Sequence, residues 1–169
     1  MIYVFIILCV CVLDQLTKVW AMDVIAAANG IPAEALAEGH TKPLAEGVLH
    51  LTYLENTGMS FGLLQNHRWV FLTLSVIGIL ALIAYLIYIK GYCKDKDVLL
   101  PVALSLMIGG GIGNMFDRIT LGYVVDFIDF CYFDFWKWIF NFADACVCIG
   151  AGLMVLSLLV SFAKEKKNG

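Results

Sequence analysis

Charge is scarce in this chain. Only 15% of its 169 residues are Asp, Glu, Lys or Arg, and the net charge is −3. An ordinary soluble domain carries about 25% charged residues and is roughly half apolar. Here 62% of residues are hydrophobic, and the mean hydropathy is +0.88. The composition belongs in lipid. No basic stretch exists to meet a phosphate backbone, so a nucleic-acid partner is not expected. Histidine is also rare: His40, His50 and His67 all fall in one polar segment, far from any obvious nucleophile. That placement leaves no Ser-His-Asp arrangement to build. Cysteine occurs six times, but no CxxC or mixed Cys/His run has the spacing of a zinc site. The two C-x-C pairs, Cys9/Cys11 and Cys146/Cys148, lie in apolar runs where residues two apart point to different helix faces. They read as small packing residues, and no metal or cofactor is expected. The N-terminus lacks a basic region, and its apolar run leads into DQLTKVWAM rather than a small-residue cleavage site, so it reads as a retained span.

Four long apolar stretches remain. They predict membrane spans at about 2–22, 69–89, 98–119 and 136–162. At ~1.5 Å rise per residue, about 20 residues cross a hydrocarbon core of about 30 Å. Between the first two lies the only long polar segment, 23–67, punctuated by Gly30, Pro32, Gly39, Pro43 and Gly47. Within it Ala33–Glu38 can form a short helix, and VLHLTYL (48–54) reads as a strand. Asn56-x-Gly58 followed by Phe61-Gly62 reads as a turn back toward the membrane, and 90–97 as a tight charged loop. Residues 120–134 form a non-helical connection with alternating character. Tyr132, Phe133, Phe135, Trp136 and Trp138 mark an interfacial aromatic belt. The expected fold is a membrane all-α, four-helix transmembrane bundle with a small extramembrane β-rich cradle and a short helix on the outer face. A single integral-membrane domain over 1–169 is expected. Lysines in the 90–97 loop and in the tail place that side in the cytoplasm, together with both termini. The polar segment and the 120–135 connection then face outward together.

Ionised residues in so apolar a chain point to function. Asp14 and Lys18 are four apart and share a helical face. They are an ion pair with Lys18 snorkelling to the interface, or a support for a polar site at that face. Asn114, Asp117 and Arg118 share a face near the outer end of the third span, just past the glycine run Gly109–Gly113. Asn141 and Asp144 share a face of the fourth, with Asp144 about 12 Å along a helix starting at Trp136. Asp126 lies on the short connection between these two helices and can fold back over Asp144. Two close carboxylates cannot both ionise easily; one keeps a proton while the other is a base. Such a pair can activate water against an amide and protonate the leaving amine. From the residues alone, catalysis, a structural ion-pair network and an ion or proton path all remain open. The polar residues gather at one face, and the two halves show no internal repeat of the kind transporters carry.

Five blocks narrow the choice: Asp14-x-x-x-Lys18, Asn56-x-Gly58-x-x-Phe61-Gly62, Gly110-x-x-x-Asn114-x-x-Asp117-Arg118, Gly122-x-Val124-Val125-Asp126-Phe127 and Phe140-Asn141-x-Ala143-Asp144. In order and spacing the chain resembles the bacterial lipoprotein signal peptidases (signal peptidase II). The resemblance implies an aspartic endopeptidase of the bacterial cytoplasmic (inner) membrane. Its substrates would be diacylglyceryl-modified prolipoproteins, cut just before the lipidated cysteine. It implies Asp126 and Asp144 as the catalytic pair. Asp14, Lys18, Asn56, Gly58, Gly110, Asn114, Asp117, Arg118, Asn141 and Ala143 would be substrate-binding or supporting positions. With the orientation read from the lysines, the active site is expected near the outer face; membrane lipids are the expected partners and surroundings, and a monomer the expected form. The stretch 23–47 is longer than the resemblance leads one to expect.

Overall fold

The computed structural model describes residues 1–58, 68–92, 98–132 and 138–168. The Phe61-Gly62 end of the expected turn, His67, loop residues 93–97 and the aromatics Phe133, Phe135 and Trp136 lie outside the described residues. The elements run α1 (Ile2–Asn29), a 3-10 turn (Ala33–Ala35), β1 (Thr41–Ala45), β2 (Leu49–Asn56), α2 (Arg68–Tyr92), α3 (Leu99–Thr120), β3 (Val124–Phe130), β4 (Ile139–Phe140) and α4 (Phe142–Asn168). All four helices are long and apolar enough to cross a membrane. Large apolar side chains such as Phe5, Leu80, Leu159 and Phe162 are exposed on their outer faces, as lipid-facing surfaces require.

α3 is the central helix and packs against α1, α2 and α4. In lipid no hydrophobic force drives helices together, so close backbone approach at small residues has to hold them. The glycines of α3 provide it. A Cβ on Gly110 would stand 2.5 Å from the Ala143 carbonyl oxygen of α4, and one on Gly113 would stand 2.6 Å from Asp14 Oδ2 of α1.

Two boundaries differ from expectation, and both matter for the site. α1 continues to Asn29 rather than stopping near residue 22. Its 28 residues reach about 42 Å at ~1.5 Å per residue, well beyond a hydrocarbon core. The extra turns stay helical because something apolar covers them: Ala21 and Ile25 pack with Leu51, Tyr53, Val125 and Phe127 of the sheet. Gly30, at φ 68°, then ends the helix, with the N–H groups of Gly30 and Ile31 donating to Ala27 and Ala26. At the other boundary, α4 starts at Phe142 rather than near Trp136, because Ile139 and Phe140 leave as β4 to pair with β3. Asp144 therefore sits in the first turn of α4, not two turns inside it, and Asn141 precedes the helix. The short helix expected at 33–38 is a single 3-10 turn, Ala33–Ala35.

The four strands form one antiparallel sheet in the order β1-β2-β3-β4. Half of it comes from the polar segment and half from the connection between α3 and α4. β2 and β3 pair His50 with Asp129 at one end and Asn56 with Val124 at the other, with a register shift between Leu51 and Leu54. That pairing brings Asn56 and Asp126 to the end of the sheet nearest α3.

Candidate active site

Asn141 organises the centre. It caps α4: its Oδ1 accepts from the Asp144 N–H at 2.9 Å, and Asp144 Oδ2 accepts from the Asn141 N–H at 3.3 Å. This reciprocal pairing is a capping box with amide and carboxylate in the two roles. It fixes the Asp144 side chain at the helix end. The Asn141 side-chain amide turns the other way and donates to Asp126 Oδ1 at 2.6 Å. One residue thus holds both carboxylates. Asn56 donates to the other oxygen of Asp126 at 2.8 Å, and Asn114 donates to Asp144 Oδ1 at 2.7 Å. Three asparagines from β2, α3 and the α4 cap therefore frame Asp126 and Asp144. Asn141 and Asn114 are themselves linked at 3.1 Å.

A second layer braces the frame. Lys18 is 3% exposed, so it does not snorkel; its Nζ reaches Asp14 and Asp117 at 2.8 Å each and Asn114 Oδ1 at 3.1 Å. Its ammonium donates to Asp14 and Asn114 and pairs in charge with Asp117. Each carboxylate of this triad then ties down a different element. Asp14 Oδ1 accepts from the Ala143 N–H at 3.0 Å and anchors the start of α4. Asp117 Oδ2 accepts from the Val125 N–H at 3.2 Å and anchors β3 beside Asp126. Arg118 donates to the carbonyls of Gly58 and Asn114, both at 3.3 Å, and Gly58 donates its N–H to Asn56 Oδ1 at 3.1 Å. Gly110 and Ala143 take part by being small: they let α4 lie against α3 closely enough for Asn114 to reach Asp144.

One member of this network escaped the sequence reading. Gln15 donates to Asp117 at 2.8 Å and to Asp14 at 3.2 Å. The available signal was a third polar residue beside Asp14 in an otherwise apolar span.

The electrostatics set the site apart. Four carboxylates (Asp14, Asp117, Asp126 and Asp144) meet two cations, Lys18 and Arg118. Full ionisation would leave two excess negative charges in a buried place, which is costly. Asp126 carries the relief. Burial, helped by the neighbouring Asp144 charge, pushes its carboxyl up to about 7, against hydrogen bonds from Asn56 and Asn141 and the charge of Lys18. A carboxyl poised there can hold or accept a proton at neutral pH.

Fold and site together define a class: a multi-span membrane protein with a pair of neighbouring carboxylates where its helices meet a small antiparallel sheet. Comparison with known proteins gives the family. The model of the family "Signal peptidase (SPase) II" matches residues 6–160. The lipoprotein signal peptidase of Clostridioides difficile (strain 630) is 34% identical over 166 residues, covering 98% of this chain and all of that protein. That of Streptococcus pyogenes serotype M1 is 37% identical over 157 residues, covering 93% of this chain and 90% of its own. A solved structure described as a bacterial membrane enzyme, by the in meso method at 2.3 Å resolution, superposes with a TM-score of 0.77 at 29% identity. It covers 96% of this chain and 90% of that one. The chain belongs to the signal peptidase II family. It is a multi-pass bacterial membrane peptidase that removes signal peptides from lipoproteins.

Proposed function

We propose that Asp126 and Asp144 are the catalytic residues of an aspartic endopeptidase. Its substrates are diacylglyceryl-modified prolipoproteins, cut just before the lipid-bearing cysteine. The observation that carries this reading is the single asparagine, Asn141, that hydrogen-bonds both carboxylates while Asp126 is held near neutrality. A water between the two loses a proton to the ionised carboxylate as its oxygen attacks the scissile carbonyl carbon. The protonated partner hydrogen-bonds the carbonyl oxygen. When the tetrahedral intermediate collapses, the carboxylate that took the water's proton gives it to the leaving amine, which restores the pair as both products depart. Asn56 and Asn141, locked by their own partners, keep the Asp126 oxygens from rotating away.

Asn56 holds Asp126, and Gly58 is held in turn by Asn56 and Arg118; on this reading the two shape the edge along which an extended substrate backbone lies. The acyl chains enter sideways from the lipid and supply affinity at ~0.8 kcal/mol per buried methylene. The site opens toward the outer face: Lys90 at the end of α2 and Lys164 and Lys166 near the end of α4 lie at the end of the bundle opposite the sheet, which the positive-inside rule assigns to the cytoplasm. On this reading the peptidase works as a monomer.

The test is direct. Purified protein incubated with a diacylated prolipoprotein should release the signal peptide, and the same substrate without its diacylglyceryl group should be cut poorly or not at all. Equal cleavage of the two would remove lipid selection from the proposal.

A further inference from the structure

Among the described residues outside the carboxylate pair, one cluster has the chemistry of a site. His50 on β2, Asp129 on β3 and Cys131 just beyond β3 bring an imidazole nitrogen, a carboxylate oxygen and a thiol sulfur within 4.8 Å of one another. Nothing in their sequence spacing announces this, because the donors meet only through strand pairing. His50 stands opposite Asp129 in the β2–β3 register. The Cys131 N–H donates to the Val48 carbonyl at 3.0 Å, which extends the ladder one step and holds Cys131 beside the pair.

One nitrogen of the imidazole is unsatisfied. His50 Nε2 is buried and, among the described residues, is the one buried side-chain nitrogen or oxygen without a hydrogen-bond partner. Such a group is costly and calls for an explanation such as an ion. The carboxylate, in contrast, is already oriented. Thr52 donates to Asp129 Oδ2 at 2.8 Å and is itself hydrogen-bonded to Thr41 at 3.0 Å. Metal-binding carboxylates are characteristically held in this way by a neighbouring donor. Donors around a tetrahedral zinc ion stand about 3.3–3.8 Å apart, given bonds of about 2.0–2.3 Å. Small rotations of partly buried side chains close that gap.

We infer that His50, Asp129 and Cys131 form a binding site for a divalent late transition-metal ion of the zinc type, with water as fourth ligand. The mixed nitrogen, oxygen and sulfur set excludes calcium and magnesium, which take oxygen donors. On binding, the Cys131 thiol gives its proton to solvent as the sulfur–metal bond forms. The ion clamps β2 to β3 at the end of the ladder away from Asn56 and Asp126. This site is separate from the carboxylate pair, and the inference does not rest on the peptidase reading.

Cobalt(II) is the probe, because a cobalt–thiolate bond gives a near-ultraviolet charge-transfer band. Titrating the untagged protein in detergent should produce that band with an endpoint of one ion per chain, and zinc should bleach it. Cys131→Ser and His50→Gln should each lose the band. Cys148→Ser, altering an exposed cysteine on α4, should keep it. Asp126→Asn should also keep it, whatever it does to peptide cleavage. Zinc should raise the melting temperature of the unaltered protein and leave that of Cys131→Ser unchanged. Should Cys131→Ser not fold, His50→Gln carries the same comparison. No band at excess cobalt, or a band that survives both ligand substitutions, overturns the inference.

Discussion

α2 and the C-terminal end of α3 make an instructive pair. α2 is apolar nearly throughout, and exposes Leu74, Ile77, Leu80 and Ile87. Its buried residues, Ile79, Leu86 and Ile89, pack on Leu104 and Ile108 of α3. These positions ask for hydrophobicity of about the right volume rather than for a particular side chain. The C-terminal end of α3 is the reverse. Asn114, Asp117 and Arg118 each hydrogen-bond or ion-pair with groups on other elements, and a change at any one strands a partner. Lipid tolerates exchange among apolar groups because it does not distinguish them. A buried polar group tolerates none, since its alternative is an unmade bond in a low dielectric.

The sharpest way to break that contrast is at the carboxylates. Asp126→Asn and Asp144→Asn should each lower cleavage by at least about 10²–10⁴-fold, the scale of a lost general acid or base. The proteins should stay folded in detergent. Near-normal turnover by Asp126→Asn would refute the pairing. Next in size is Lys18→Met, which leaves Asp14 and Asp117 buried without their cation and should cost about 3–5 kcal/mol. It should be read as a large fall in melting temperature, with turnover falling in parallel. A variant as stable as the parent would mean that the triad is solvated after all.

Gly110→Ala should cost about 1–3 kcal/mol through overpacking, because the new Cβ meets the Ala143 carbonyl at 2.5 Å. The same shift should move Asp144 away from Asn114, so turnover should drop more than stability implies. Activity unchanged in the face of lower stability would separate the helix contact from the site. Acidity offers a gentler test. Asp126 binds its proton more tightly folded, near 7, than unfolded, near the ordinary ~3.9. Its contribution to stability is therefore fully present below about 4 and is lost as pH rises through about 7. Melting temperature followed against pH should fall over that window in the parent, and the fall should be shallower in Asp126→Asn. Identical slopes would place the titration elsewhere. Smallest of all, Ile87→Val on the lipid face of α2 should change stability by less than about 0.5 kcal/mol. A larger loss would show that α2 meets something more specific than lipid.

Much of this molecule could be read without coordinates. Runs such as Ile2–Val12 and Trp69–Ile89 announce spans, because the cost of placing a side chain in lipid is a property of that side chain alone. Pairs three or four apart, such as Asp14 with Lys18, share a face because helical geometry is local. The five blocks carried the family, and with it the proposed catalytic pair. What lay beyond reach were relations between distant segments. The extension of α1 depended on the sheet that covers Ala21 and Ile25. The late start of α4 depended on β3 drawing Ile139 and Phe140 into a strand, and that pairing put Asp144 in a capping turn. Lys18 could have snorkelled to the interface. It turned inward because Asp117 meets it from another helix, while Gly113 leaves room for Asp14 to lie against that helix. The meeting of His50 with Asp129 and Cys131 exists only once β2 and β3 choose their register. Hydropathy and helical periodicity are short-range and additive, so sequence alone determined the spans and the shared faces. Hydrogen bonds, ion pairs and strand register require two distant partners at one distance and angle, and only the tertiary structure decided those.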